Sequence, residues 1–160
     1  MKAFRETLAA AGLLFAILIA AYGCFTLPQR FPTHFDANNI ADGWSGKSSL
    51  WFGPGIACVI YVVLTLVRFL PQSSISCFSE ASPEQRAAAL PFVHALFDWV
   101  KAEMTWMFAA ITWTTVAEAQ GHSIELTMWI LPPSLIAIFG TIIYYITRMN
   151  PLKPAKSGAQ

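Results

Sequence analysis

The sequence has few charged residues. Asp, Glu, Lys and Arg together make up 12% of its 160 residues, whereas a water-soluble domain carries about twice that share because its surface must be solvated. Hydrophobic residues account for 56% of the chain, and its mean hydropathy is +0.52. The composition therefore excludes an ordinary soluble domain and predicts an all-α integral membrane protein with a single domain.

The sequence also lacks the signatures of two functional classes. Its Lys and Arg residues are dispersed rather than gathered into a basic patch with interleaved aromatic side chains, which excludes a nucleic-acid-binding surface. It contains no GxSxG, HExxH or CxxC motif and no glycine-rich phosphate-binding loop. We therefore expect a protein that is not an enzyme and that requires no cofactor.

Four apolar segments are long enough, or nearly so, to cross about 30 Å of hydrocarbon. Three of them are uncharged over 18 residues or more, whereas the third in chain order reaches spanning length only if it includes Lys101 and Glu103. We predict one four-helix membrane domain over residues 1–150 and a flexible cytoplasmic tail over residues 151–160. The predicted helices cover about residues 6–26, 50–70, 92–119 and 124–148.

The distribution of Lys and Arg predicts the orientation, since these residues are kept preferentially in the cytoplasm. With the N-terminus inside, eight of the ten lie on the cytoplasmic side, and Arg30 and Lys47 lie outside. Both termini are then cytoplasmic, and the loop between helices 1 and 2 faces outward. Lys2 and Arg5 before an apolar run would also fit a cleaved signal peptide, but three further spans favour an anchor that is retained.

The three cysteines are predicted to lie at different depths. Cys24 is placed at the outer end of helix 1, Cys58 near the middle of helix 2, and Cys77 in the inner loop. A disulfide requires alpha carbons within about 7 Å of each other. We therefore expect no disulfide, and we interpret the cysteines as small apolar residues.

The segment before helix 3 is predicted to be an amphipathic cytoplasmic helix that leads into it. Ser82 is a candidate N-cap that forms a capping box with Gln85, and Pro91 is a candidate kink. Within helix 3, tryptophans recur every seven residues and therefore share one face. We interpret this face as a packing or lipid-facing surface; its members are Trp99, Trp106 and Trp113.

Helix 3 also carries charged residues. Asp98 and Lys101 are three residues apart and are predicted to pair at the inner interface. Glu103 either faces the bundle interior, as carboxylates in membrane helices tend to do, or extends to the cytoplasmic headgroups.

In helix 4, Pro132 and Pro133 remove two backbone donors and predict a break or a plain kink. Glu103 together with a break would suit a small transporter or an ion-coupled carrier.

The outward loop collects titratable side chains. His34, Asp36 and Asp42 come from the stretch PTHFDANNIADG at residues 32–43, and His122 comes from the second outer loop. Together they form a candidate zinc site, which would correspond to a zinc-dependent membrane enzyme. The alternative that we favour is structural: the Asp and Asn side chains close turns, His34 forms hydrogen bonds, and Gly43 supplies a positive φ.

Residues 27–47, LPQRFPTHFDANNIADGWSGK, resemble the N-terminal domain of unknown function of SdpI-type proteins. That resemblance implies a multi-pass protein of the bacterial inner membrane and, by association, immunity to or sensing of a peptide toxin. The partner implied besides the lipid bilayer is thus a peptide toxin or another membrane protein, while the oligomeric state stays open. The motif and loop positions are Pro28, Pro32, His34, Phe35, Asp36, Asp42, Gly43 and Lys47.

Overall fold

The computed structural model describes residues 1–35, 41–69, 82–122 and 126–150, with the backbone alone at 34, 35, 41 and 126–128. Four long helices and a small two-stranded sheet make up this part of the chain. In chain order the elements are α1 (Lys2–Thr26), β1 (Arg30–Phe35), β2 (Ala41–Gly46), a 3₁₀ helix (Lys47–Trp51), α2 (Phe52–Leu66), a 3₁₀ turn (Val67–Phe69), α3 (Pro83–Ala119) and α4 (Leu126–Met149).

Helix α3 is longer than the sequence predicts. It begins at Pro83 instead of near residue 92, because the amphipathic segment and the predicted span form one continuous helix that contains Pro91. The predicted capping box is confirmed: the Gln85 N–H donates to Ser82 Oγ over 3.2 Å, and the Ser82 N–H donates to Gln85 Oε1 over 2.9 Å. These two bonds satisfy backbone donors that the first helical turn leaves without partners.

Three helical segments in the described part of the chain are long and apolar enough to cross a membrane. They are Lys2–Thr26, Lys47–Phe69 and Trp129–Met149, with mean hydropathies of 2.3, 2.2 and 1.7 over 18 residues. Helix α3 does not meet the same criterion, yet it packs against α1, α2 and α4. Five of its polar side chains are buried, namely Asp98, Lys101, Thr105, Thr112 and Thr114. A helix that is enclosed in this way does not need an apolar surface all round.

The contacts between helices establish their directions. Arg5 contacts Asp98 at one end of α1, and Thr26 contacts Gln120 at the other end, so α1 and α3 run the same way. Helices α2 and α4 run the opposite way. The contacts that show this are Gly53 with Thr112 and Thr65 with Lys101 for α2, and Thr141 with Glu103 and Met149 with Val93 for α4.

Small residues allow α1 to approach α3 closely. A Cβ at Gly12 would lie 2.8 Å from Thr105 Oγ1 and 3.1 Å from the backbone nitrogen of Trp106. Lipid tails are as apolar as the side chains, so van der Waals contact at short range provides much of the attraction between membrane helices. The buried small residues on this face of α1 are Ala9, Gly12, Ala16, Ala20 and Gly23.

The predicted ordered loop contains a β-hairpin. Strands β1 and β2 pair antiparallel, from Arg30 opposite Gly46 to Phe35 opposite Ala41, with irregular register on either side of His34. The predicted positive φ at Gly43 is wrong, because Gly43 lies within β2; of the glycines described, only Gly121 has a positive φ, of 86°. Over its described residues, the loop is thus held by strand pairing, and the predicted turn residues Asp36, Asn38 and Asn39 lie outside the described part of the chain.

Candidate functional site

The hairpin is anchored in an apolar core at the end of the bundle where α1 finishes. Phe31 in β1 is completely buried, and Leu27 and Leu50 on either side of the hairpin are nearly so. The family resemblance does not single out Phe31. The signal for this residue in the sequence is an aromatic side chain between a charged residue and a proline. The buried core consists of Ile19, Ala20, Leu27, Phe31, Leu50 and Val116.

Lys47, which directly follows β2, ties the base of the hairpin to α1. Its Nζ donates to the Cys24 carbonyl oxygen over 2.6 Å, near the C-terminus of α1, where the helix dipole favours a cation. The Leu27 N–H donates to the Gly23 carbonyl over 2.9 Å and satisfies a neighbouring carbonyl. Lys47, one of the motif positions, therefore has a structural role as a C-terminal cap of α1.

The hairpin also carries a large aromatic side chain that is exposed. Trp44 on β2 is 61% exposed and lies opposite Pro32 on β1. The hydroxyl groups of Thr33 and Ser45 lie 3.1 Å apart across the two strands. A large exposed aromatic side chain on an anchored hairpin is a candidate contact residue for a partner.

The candidate zinc ligands are only partly described. His34 lies in β1, where only its backbone is described, Asp36 lies outside the described residues, and Asp42 is exposed on β2. His122 is exposed just beyond α3, where its N–H donates to the Ala117 carbonyl over 3.1 Å. Among the residues that the structure describes, no three His, Cys, Asp or Glu side chains could hold a metal together. A site that includes His34 and Asp36 stays a prediction.

The remaining motif positions are placed by the backbone. Pro28 lies between α1 and β1, Pro32 and Phe35 lie in β1, and Gly43 lies in β2. The free thiols of Cys24 and Cys58 are at an intermediate and an exposed position, and Cys77 lies outside the described residues. Cys24 faces the Lys47 carbonyl oxygen at 3.9 Å.

A polar cluster lies at the other end of the bundle. Asp98 accepts from Arg68 Nη2 at 2.9 and 3.0 Å, and its Oδ2 lies 3.4 Å from Arg5 Nε. Lys101 Nζ lies 2.7 Å from Glu6 Oε2. The predicted pairing of Asp98 with Lys101 is therefore wrong. Spacing along α3 considers only that helix, whereas α1 and α2 bring better-placed partners to both residues.

Lys101 is buried despite its charge, with 2% of its surface exposed. Besides Glu6, its Nζ donates to Thr65 Oγ1 over 3.1 Å and lies 4.7 Å from the centre of the Tyr61 ring. The Tyr61 hydroxyl donates to Glu6 Oε1 over 2.6 Å. A buried ammonium group is tolerated only when it is paired and hydrogen-bonded in this way.

Sequence reasoning missed most of the polar cluster. It singles out Asp98 and Lys101 but uses the charged residues of the neighbouring helices only to predict the orientation. The available signal was polar residues at the ends of apolar runs that are predicted to lie on the same side of the membrane. The overlooked members are Arg5, Glu6, Tyr61, Thr65 and Arg68.

Glu103 lies at the contact of α3 with α4. Its Oε1 accepts from Thr141 Oγ1 over 2.6 Å, and its buried Oε2 has no hydrogen-bond partner within the described residues. The predicted break in α4 is wrong, because α4 runs unbroken through Pro132 and Pro133, both of which are exposed. Thr141 lies eight residues beyond Pro133, about 12 Å along the axis. Glu103 and the prolines therefore do not form one site.

The tryptophan face of α3 is partly covered by α1. Trp106 is 40% exposed and Trp113 46% exposed. Trp106 Nε1 donates to the Leu8 carbonyl over 3.0 Å, and its ring lies 5.8 Å from that of Phe15. These contacts are of the packing kind that the seven-residue spacing predicts.

Residues 11–58 match the family described as a domain of unknown function (DUF1648), which is the N-terminal domain type of SdpI-like proteins. The predicted resemblance is thereby confirmed. The match covers most of α1, the hairpin and the first half of α2, and all members of the polar cluster lie outside it. No curated protein and no solved structure matches the chain.

Proposed function

We propose that this membrane protein, with its DUF1648 domain, is a non-enzymatic multi-pass protein of the bacterial inner membrane that recognises an extracytoplasmic peptide through its hairpin. The specific role that we propose is immunity to, or sensing of, a membrane-active peptide toxin. The observation that carries the proposal is an anchored hairpin with an exposed aromatic side chain: Phe31 is buried while Trp44 is 61% exposed.

An anchored hairpin suits recognition for an energetic reason. Phe31 in the core and Lys47 on the end of α1 hold both strands, so binding need not order a loose segment. Tryptophan is also enriched among the residues that contribute most to the affinity of interfaces. Recognition through Trp44 would therefore use a surface that is already organised.

The proposed topology places the hairpin outside the cell membrane. With both termini in the cytoplasm, α1 to α4 each cross the bilayer. Helix α3 is then a span in addition to the three more apolar ones, which enclose it. The excess of Lys and Arg on the N-terminal side supports this orientation.

The proposal is tested by expressing the chain in a strain that is sensitive to a panel of membrane-active peptide toxins. We expect protection against at least one toxin and a loss of at least tenfold in protection, about the effect of one well-buried contact residue, with Trp44→Ala. His34→Ala tests the motif histidine in the same assay.

Trp129→Ala is the matched control, because Trp129 is 75% exposed on α4 and belongs to a different element from the hairpin. It should protect as well as the wild-type chain when the two are expressed at the same level. An absence of protection against every toxin would argue against immunity. Equal losses with Trp44→Ala and Trp129→Ala would remove the hairpin from recognition.

A further inference from the structure

The polar cluster carries more positive than negative charge. Arg5 and Arg68 share the single carboxylate of Asp98, while Lys101 and Glu6 neutralise each other. These five side chains are therefore left with one unit of positive charge. Such an excess at an otherwise apolar bundle favours a bound anion.

The two arginines still have donors to offer. Arg68 contacts Asp98 through one terminal nitrogen, and Arg5 does so through Nε. A guanidinium group has five N–H donors in a planar fork, so several of them are not engaged by Asp98. The side chains of Arg5 and Arg68 are 12% and 21% exposed, whereas that of Asp98 is 5% exposed. The carboxylate thus lies beneath the guanidinium groups, which reach the surface.

A third cation, Lys2, lies three residues before Arg5 on α1, so the two side chains project from the same side of that helix. Lys2, Arg68 and Asp98 are all close enough to interact electrostatically with His94, and Lys2 is exposed. We call Lys2, Arg5 and Arg68 the basic rim. The rim lies where the apolar segment of α1 begins and where that of α2 ends, which is the level of lipid headgroups whichever way the protein is oriented.

We propose that the basic rim binds the phosphate group of an anionic phospholipid. Guanidinium groups match the oxygens of a phosphate in pairs of parallel hydrogen bonds. Basic pockets between membrane helices are a known arrangement for anionic headgroups. The rim lies outside the residues matched by the family and does not depend on peptide recognition by the hairpin.

The experiment uses the full-length protein in a neutral detergent and measures lipid binding by native mass spectrometry. Phosphatidylglycerol should bind more tightly than phosphatidylcholine. Lys2→Gln should weaken the binding of phosphatidylglycerol about fivefold, the effect of one cation at a membrane surface. This variant is the primary test, since Lys2 is exposed and its loss should not affect folding.

Arg148→Gln is the matched control. It removes the same charge from the last turn of α4, and Met149 beside it packs against α3 near this end of the bundle. Binding of phosphatidylglycerol should be unchanged by Arg148→Gln. Arg5→Gln should weaken binding more than Lys2→Gln, and its melting temperature would show whether the cluster is still folded.

Competition with inorganic phosphate distinguishes a lipid headgroup from free phosphate as the ligand of the basic rim. Failure of phosphate to displace phosphatidylglycerol would assign the site to the lipid, whereas displacement would assign it to the phosphate group alone. Equal binding of phosphatidylglycerol and phosphatidylcholine would overturn the proposal. So would equal weakening by Lys2→Gln and Arg148→Gln.

Discussion

Two lysines show how the surroundings of a residue decide its role. Lys47 lies at the edge of the bundle, where its ammonium group caps the carbonyl of Cys24. Lys101 is enclosed between three helices and pairs with Glu6. A cap contributes about 1 kcal/mol to stability, whereas the loss of one partner from a buried pair leaves an uncompensated charge and has a larger effect.

Lys101→Met tests the buried pair. We expect the free energy of unfolding to fall by about 2–3 kcal/mol, somewhat less than for a fully buried pair because the Glu6 side chain is 34% exposed. The double variant Glu6→Gln with Lys101→Met should regain much of the loss, since neither charge is then left alone. Chemical unfolding in detergent measures the free energy of unfolding of the wild-type protein, of Lys101→Met and of the double variant. A double variant no more stable than Lys101→Met would contradict the pairing.

The packing of α1 on α3 depends on the absence of side-chain bulk at single positions. A Cβ added at Gly12 would lie 2.8 Å from Thr105 Oγ1 of α3, and one added at Gly23 would lie 2.8 Å from Val116 Cγ2 of α3. The absence of a side chain at both glycines therefore leaves room for these two residues. Gly53 plays the same part between α2 and α3, where the corresponding distance to Thr112 Oγ1 is 2.7 Å. The α3 helix is thus approached closely on two of its sides.

Gly12→Leu should force α1 away from α3 and destabilise the protein by about 1–3 kcal/mol, the usual range for overpacking. Gly140→Leu in α4 is the control, because no heavy atom lies within 4 Å of its added Cβ. Both substitutions raise helix propensity equally, so the difference between them reports packing. Melting temperatures in detergent, followed by size-exclusion chromatography, would measure it; equal values would contradict close packing at Gly12.

For the molecule as a whole, the polar helix is the central one. Helix α3 contacts the other three helices, and Asp98, Lys101 and Thr105 on it are buried. The helices that enclose it carry the apolar surface, as Val62 and Ile136 show with exposures of 47% and 72%. Because the other three helices carry the apolar outer surface, α3 itself can have a more polar composition than they have.

The proposed orientation is tested with single cysteines in a chain whose own cysteines are replaced by serine. Ser48→Cys lies in the exposed 3₁₀ helix after the hairpin, and Ala3→Cys lies in the exposed first turn of α1. A membrane-impermeant maleimide should label Ser48→Cys in intact cells and Ala3→Cys only after permeabilisation. The reverse pattern would invert the topology.

Several features follow from the sequence without any knowledge of tertiary contacts. Apolar runs predict α1, α2 and α4 because their length and hydropathy are local properties. The capping box between Ser82 and Gln85 depends on residues three apart. The family resemblance depends on a motif of contiguous residues and is confirmed over residues 11–58.

Other features were decided only by the tertiary structure. Asp98 pairs with Arg68, thirty residues away, and Lys101 pairs with Glu6, ninety-five residues away, because the helices that α3 packs against supply those partners. The α4 prolines leave a continuous helix, and the loop motif folds as paired strands over a buried Phe31. The sequence determined which segments are long and apolar enough to cross a membrane, since those properties depend on composition alone. Which charges meet was decided by helix packing, since that depends on distances between residues far apart in the chain.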